Sequence, residues 1–249
     1  MTEPTAPRDI AAAWEPQRPG RRAARDIPDA IVEPAWGGLR AVAVLGEGSA
    51  ALFAHGSEIT VPAELLDALR GAFTALDAVV EGNVTTKALH GSEGVLPPAP
   101  AVERPPILVP RALLKSVRDD PFVRARDHVR EAEAAEATIL EALEGGERHA
   151  FVATDLLWLD GQSLLDVPLL ERKRLLDTIL EESFLVRITT FVRPSAVLTL
   201  VTWGGLGFEE LSYRASNSRY LAGRENPDWA VARPPEGPHG RARAPAPPR

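Results

Sequence analysis

The chain has 249 residues, 45% hydrophobic and 25% charged, which is enough apolar material to bury a sizeable core without staples. It has no cysteine, which excludes a disulfide scaffold, thiolate zinc sites, iron–sulfur clusters and a cysteine nucleophile. The formal net charge of −7 counts against a broad electrostatic footprint for nucleic acid and leaves room for a local basic face.

Residues 1–26 are polar, carry Pro4, Pro7, Pro16 and Pro19 and the run Arg21-Arg22-Ala23-Ala24-Arg25, and are expected to form a disordered arm with no secretory signal. Leu39–Leu45 and Ser49–Phe53 are β-rich runs around Gly46-Glu47-Gly48, a predicted hairpin. Pro62–Leu76 places Leu65, Leu66, Leu69, Phe73 and Leu76 at helical spacing, with Thr60 as the expected cap. Leu76–Val84 reads as a strand. Residues 94–110 hold six prolines and form an expected extended connector. Pro121–Leu143 reads as an amphipathic helix stopped by Gly145-Gly146.

Phe151–Leu159 is an apolar run broken by Thr154-Asp155, a buried strand carrying one acid. Asp166 and Pro168 open a helix to about Glu182, with an inner stripe of Leu169, Leu176, Ile179 and Leu180. Phe184–Val192 and Ala196–Trp203 are two further predicted strands, joined through Arg193-Pro194-Ser195. Residues 234–249 hold six prolines and form an expected disordered, mildly basic tail. Clustered strands with helices between them predict an α+β domain over 27–233. No apolar run approaches the roughly 18 residues of a membrane helix, so a cytoplasmic protein without a membrane partner is expected. The sequence does not define the oligomeric state.

Generic catalytic signatures are absent. There is neither a phosphate-binding loop ending in Gly-Lys-Ser/Thr nor a Gly-x-Ser-x-Gly elbow. His55, His90, His128, His149 and His239 lie far apart without an i, i+4 partner, so no histidine metal site is expected. Gly204-Gly205-Leu206-Gly207 lacks the lysine that would follow in a phosphate cradle.

Three segments are more telling in combination. They are Glu33-Pro34-Ala35-Trp36-Gly37-Gly38-Leu39-Arg40; Phe151 to Gly161 followed by Leu169 to Leu176; and Glu209 to Arg214 with Ser218-Arg219-Tyr220-Leu221-Ala222-Gly223-Arg224 and Pro227-Asp228-Trp229. In this order and spacing, the region Asp26–Arg233 resembles the nucleotidyltransferase domain of ATP-dependent DNA ligases, particularly the bacterial repair type. The resemblance implies two antiparallel sheets flanked by helices around a central cleft, ATP or AMP and Mg2+ as ligands, and DNA or a partner ligase or repair protein as partner. It also implies a three-step reaction. A lysine in Glu-x-Lys-x-Asp-Gly attacks the α-phosphate of ATP, the AMP passes to a 5′ phosphate at a nick, and the neighbouring 3′ hydroxyl displaces it.

Carried over residue by residue, the resemblance gives Glu33 the adenine edge and Arg40 the ribose, and adds Asp155, Arg214 and Arg233 as nucleotide-side residues and Glu209 as the metal-side acid. The nucleophile position is Ala35, and a methyl group cannot form a phosphoramidate. The following aspartate is Gly37, the Asp-Gly-Glu motif reads Glu81-Gly82-Asn83, and the stacking aromatic before Asp155 is Thr154. Arg214 replaces a lysine, Val231-Ala232-Arg233 replaces Lys-x-Lys, and Ala54-His55-Gly56-Ser57 replaces Ser-Arg-Asn-Gly. The basic residues include only three lysines, Lys87, Lys115 and Lys173. The expectation is a ligase-fold chain without an OB-fold domain and without a catalytic residue, working by binding. Two alternatives stay open: an active nucleotidyltransferase using another lysine or a partner, and an unrelated α+β interaction protein. Individual residues have plainer readings too. Asp155 is either a structural acid or part of a nucleotide site, Glu209 and Arg214 could be a surface ion pair, and Arg40 could pair with Glu33. Trp158, Trp203 and Trp229 read as core.

Overall fold

The computed structural model describes residues 7–46, 48–85, 137, 140 and 149–236. The proline-rich connector over 94–110, most of the helix expected over 121–143 and most of the tail lie outside the described residues.

The larger sheet begins with β3 (Leu39–Gly46) and β4 (Ser49–Ala54), the expected hairpin, closed at Gly48 in the left-handed region with φ +69°. With β5 (Ser57–Ile59), β6 (Ala78–Thr85), β7 (Ala150–Leu159) and β8 (Gln162–Ser163) it runs β5-β4-β3-β6-β7-β8, all antiparallel, and β9 (Val186–Ile188) adds to β7 in parallel. β3 alternates faces as a period of two requires. Leu39, Ala41, Ala43 and Leu45 join a core with α2 (Ala63–Ala72) and α3 (Leu169–Ile179), through Leu65, Leu69, Leu176 and Ile179. Val42 and Val44 face the other way, onto Ile10, Ala11 and Trp14 in and just beyond α1 (Pro7–Ala12).

Packing on that second face corrects the disordered arm expected over 1–26 where that arm is described, from Pro7 on. Residues 7–26 are structured: Trp14 is buried and donates its indole N–H to the Tyr220 hydroxyl at 2.8 Å. β1 (Arg18–Pro19) pairs in parallel with β11 (Glu225–Asn226), and a short 3-10 helix (Ala24–Asp26) follows. A polar composition hid three apolar side chains, Ile10 and Ala11 in α1 and Trp14 just beyond it, that are buried in one cluster.

A three-stranded antiparallel sheet, ordered β12-β10-β2, is built from β2 (Ala30–Pro34), β10 (Leu211–Ala215) and β12 (Trp229–Ala232). It packs on α4 (Val197–Gly205), where Leu200 and Trp203 meet Val32, Phe208 and Leu211. The strand expected over 196–203 is therefore a helix. Its β-branched residues favour a strand, but burial of Leu200 and Trp203, three apart on one helical side, outweighs local propensity. The strand expected over 184–192 contracts to Val186–Ile188, with Val192 making one bridge to Val32. Thr60 does not cap α2; Pro62 occupies the N-cap without a side-chain hydrogen bond. The helix after Pro168 and the buried strand β7 form as expected.

Candidate functional site

Of the residues singled out in the sequence, Glu33, Asp155 and Arg214 converge where the two larger sheets meet. Ser212 on β10 stands opposite Glu33 on β2, and Arg214, two residues along, shares the face of Glu33. Across the junction lies Asp155 on β7. The pairing of β6 with β7 shifts between Glu81 and Gly82, leaving Thr154 as an extra, bulged residue. This bulge turns the Thr154 carbonyl toward α3. Gly82 is required beside it, since a Cβ there would lie 2.4 Å from the Val152 carbonyl oxygen.

Asp155 is fully buried and held on both oxygens. The Arg172 Nε donates at 2.7 Å and its Nη2 at 2.9 Å, a bidentate fork, while Arg214 Nη2 donates to Oδ2 at 2.5 Å. Burial alone would raise the Asp155 pKa, but the charges of Arg172 and Arg214 hold it well below the usual carboxylate range. The same two carboxylates, Asp155 and Glu33, keep Arg214 charged against its own burial. Arg172 also donates to the carbonyls of Val167, at 2.5 Å, and Ser218, at 3.3 Å.

Glu33 is buried and paired with cations of the chain itself. The Lys173 ammonium bonds its Oε1 and the Thr154 carbonyl at 2.5 Å, and Arg214 Nη1 lies 3.5 Å from Oε2. Burial lowers the Lys173 pKa, an effect that the Glu33 charge opposes only in part. Arg40 pairs with Glu81 and donates to the Gln17 carbonyl at 2.9 Å, so its partner is not Glu33. The guanidinium groups of Arg40 and Arg214 each lie 5.5 Å from the centre of the Trp229 ring.

Other expected site residues stay outside this network. Glu209 and Arg233 are exposed, and Arg214 pairs with Asp155 and Glu33, so the surface pair of Glu209 with Arg214 does not form. Ala35 is half-buried and donates its amide to the Glu210 carbonyl at 3.1 Å. Its neighbour Trp36 donates to Thr189 Oγ1 at 2.8 Å. Trp158 and Trp203 are core, whereas Trp229 is only partly buried.

Sequence reasoning missed Arg172 as a site residue and offered Lys173 only among the lysines open to a relocated nucleophile, although a signal for both was present. They stand three and four residues after Leu169 and four and three before Leu176, two charges set inside the buried stripe of α3. A cavity of about 680 Å³ adjoins α3, with Lys173, Leu170, Arg174, Thr189 and Phe191 in its wall.

In this arrangement the acids that the resemblance sets beside a nucleotide are paired with the chain's own cations. Glu33, the adenine-edge residue implied by the resemblance, has its carboxylate taken up by Lys173 and Arg214. Asp155 and Glu81 are likewise neutralised by cations, and no cluster of three or more His, Asp or Glu placed to hold a metal occurs among the described residues.

No protein-family model and no curated protein matches the sequence. Solved structures do match. The chain is similar to the ligase domain of LigD from M. tuberculosis, with 19% identity and a TM-score of 0.55 over 89% of this chain. It is also similar to mycobacterial DNA ligase D in complex with ATP and MES, with 17% identity, a TM-score of 0.56 and the same 89% coverage. It spans 60% of the length of each of these two chains. At such identities the likeness speaks for architecture, and the chain has the fold of an ATP-dependent DNA ligase-like nucleotidyltransferase domain.

Proposed function

We propose that this chain is a non-catalytic relative of the DNA ligase nucleotidyltransferase domain, one that acts by binding in DNA repair or recombination. In this reading the two larger sheets flank the inherited cleft, and the chain's own side chains fill its nucleotide-contacting end. The observation that carries it is the closure of Glu33 by Lys173 and Arg214, next to an alanine at the nucleophile position. Lysyl-AMP formation needs an amine that can lose its proton and reach an α-phosphate, together with cations free to meet the transferring group. Here the cations are spent on carboxylates. Nicked DNA is the partner that the likeness to ligases favours, with a partner ligase or repair protein as the alternative binder.

A second reading rests on Lys173. Ala35 follows directly on β2, two residues after Glu33, and the Lys173 amine is bonded to the Glu33 carboxylate, so this lysine is the amine to test near the nucleophile position. Incubation with α-labelled ATP and Mg2+ or Mn2+, followed by a denaturing gel, separates the two. The expected result is no covalent label and no rise in melting temperature with ATP or AMP, where a ligand at a hundred times its Kd would add about 2.7 kcal/mol. A label lost in Lys173→Met would replace the binding reading with a transferase using a relocated lysine. Binding to a nicked duplex that weakens steeply with salt is expected; no binding at low salt would move the reading to a protein partner.

A further inference from the structure

Arginines gather along one edge of the molecule. Residues 18–26 hold Arg18, Arg21, Arg22 and Arg25, and residues 219–233 hold Arg219, Arg224 and Arg233. The same two segments carry three acids, Asp26, Glu225 and Asp228, in a chain whose formal charge is −7. Each of these arginines is exposed. The fold brings the segments together. β1 runs beside β11, the Arg18 amide donates to the Arg224 carbonyl at 2.9 Å, and the Gly20 amide donates to the Trp229 carbonyl at 2.8 Å. Gly20 is required there, since a Cβ would lie 2.6 Å from the Asn226 carbonyl oxygen. Ala24 then packs on the apolar cluster that holds Ala230. The arginines therefore project from a fixed frame, with a cleft of about 390 Å³ beside Arg21, Arg22 and Pro227.

We propose that this edge is the surface that holds the phosphate backbone of duplex DNA. The proposal rests on the DNA-binding reading above and gives that binding a place apart from the closed junction. Charge selects a polyanion. Arg21, Arg22 and Arg25 meet Glu225, Asp228 and Asp26 at 3.5, 3.2 and 3.8 Å, contacts that are open to water and screened by salt. Arg219 is on Asp166 at 3.3 Å. Arg18, Arg224 and Arg233 have no carboxylate within ion-pair distance among the described residues, so positive charge remains after every local acid is matched. On an acidic body, such an edge is the side that an approaching polyanion meets. Each guanidinium can also offer phosphate oxygens a planar pair of donors. The aromatics select a duplex over a single strand. Tyr220 is 4% exposed and Trp229 lies partly buried against Arg40 and Arg214, so the edge offers phosphate contacts without a stacking platform for unpaired bases.

Fluorescence anisotropy of the full chain with a labelled nicked duplex, over a series of salt concentrations, tests this. Arg21→Ala, Arg25→Ala and Arg224→Ala combined should weaken binding at low salt by at least about tenfold. The slope of log affinity against log salt should become shallower by about 2 to 3. All three side chains are exposed, so the melting temperature of this variant should match the parent's. Lysine at the same three positions keeps the charge and should keep the parent slope. Arg8→Ala, Arg70→Ala and Arg174→Ala combined remove as much charge from exposed sites on α1, α2 and α3, and should leave affinity within about twofold. A single strand of the same length should bind more weakly than the duplex. If the parent binds but the first variant loses no more than this control, or a single strand binds as tightly as the duplex, the proposal is overturned and the binding reading stands. If the parent binds no duplex even at low salt, the DNA reading itself fails, and this edge with it.

Discussion

The helix-covered face of the seven-stranded sheet and the junction where that sheet meets the three-stranded one are both dry, but different materials fill them. The first is aliphatic: Leu39, Leu52, Leu65, Leu69 and Leu176 close over one another, and any residue of similar volume could take part. The second is ionic: Glu33, Asp155, Arg172, Lys173 and Arg214 are all buried and each holds at least one of the others. Strand β7 contributes to both, with Asp155 and Leu156 adjacent and each fully buried. An apolar face gains from exclusion of water whatever its neighbours are. A charged junction must meet its desolvation cost through particular partners in particular places, so it fixes how the two sheets sit together and tolerates little change.

That contrast can be broken from either side. Asp155→Ala leaves Arg172 and Arg214 buried without their carboxylate and should cost about 3–5 kcal/mol, lowering Tm by about 10 °C. The cost should itself depend on pH. The Asp155 pKa is depressed in the folded state, so its contribution is complete above the unfolded value near 4 and is lost as pH falls below it toward the folded value. Denaturant titrations of parent and variant at pH 7 and at acid pH should therefore converge; parallel curves would show that the carboxylate contributes packing alone. Leu156→Ala should cost about 2–5 kcal/mol by cavity formation, and that cost should not change over the same pH range. At the small end, Arg8→Ala removes an exposed pair with Glu58 and should change stability by less than about 1 kcal/mol, less still in high salt. A larger loss there would mean that α1 is held by its ion pair more than by Trp14.

Much of the fold was legible along the chain. The β3–β4 hairpin, β6, β7 and the helix after Pro168 follow from alternation, helical spacing and a proline start, all local signals. The failures share a cause. α1 and α4 are short, and each is stabilised by a partner distant in sequence: Tyr220 and Val79 for the first, Val32 and Leu211 for the second. A window that sees only neighbours reads the first as polar and the second as β-branched. The site divides similarly. Glu33, Arg40, Asp155 and Arg214 were found as candidates, but the partners assigned to Arg40 and Arg214 were replaced by Glu81 for the first and by Asp155 with Glu33 for the second.

The sequence by itself determined the chemistry available: no thiol anywhere, three lysines in all, and charged residues set inside the apolar stripe of one helix. Identity alone decides whether a side chain can donate a nitrogen to phosphorus. The tertiary structure alone decided which charges neutralise which. Glu33 and Lys173 are 140 residues apart, and Asp155 and Arg214 are 59 apart. Their pairing depends on a bulge at Thr154, on the register of β10 against β2 and on the packing of α3 over β7. A buried ion pair offsets its desolvation only when donor and acceptor meet in hydrogen-bonding geometry, so the pairing is set by where the folded backbone brings each group, information carried by no single stretch of residues.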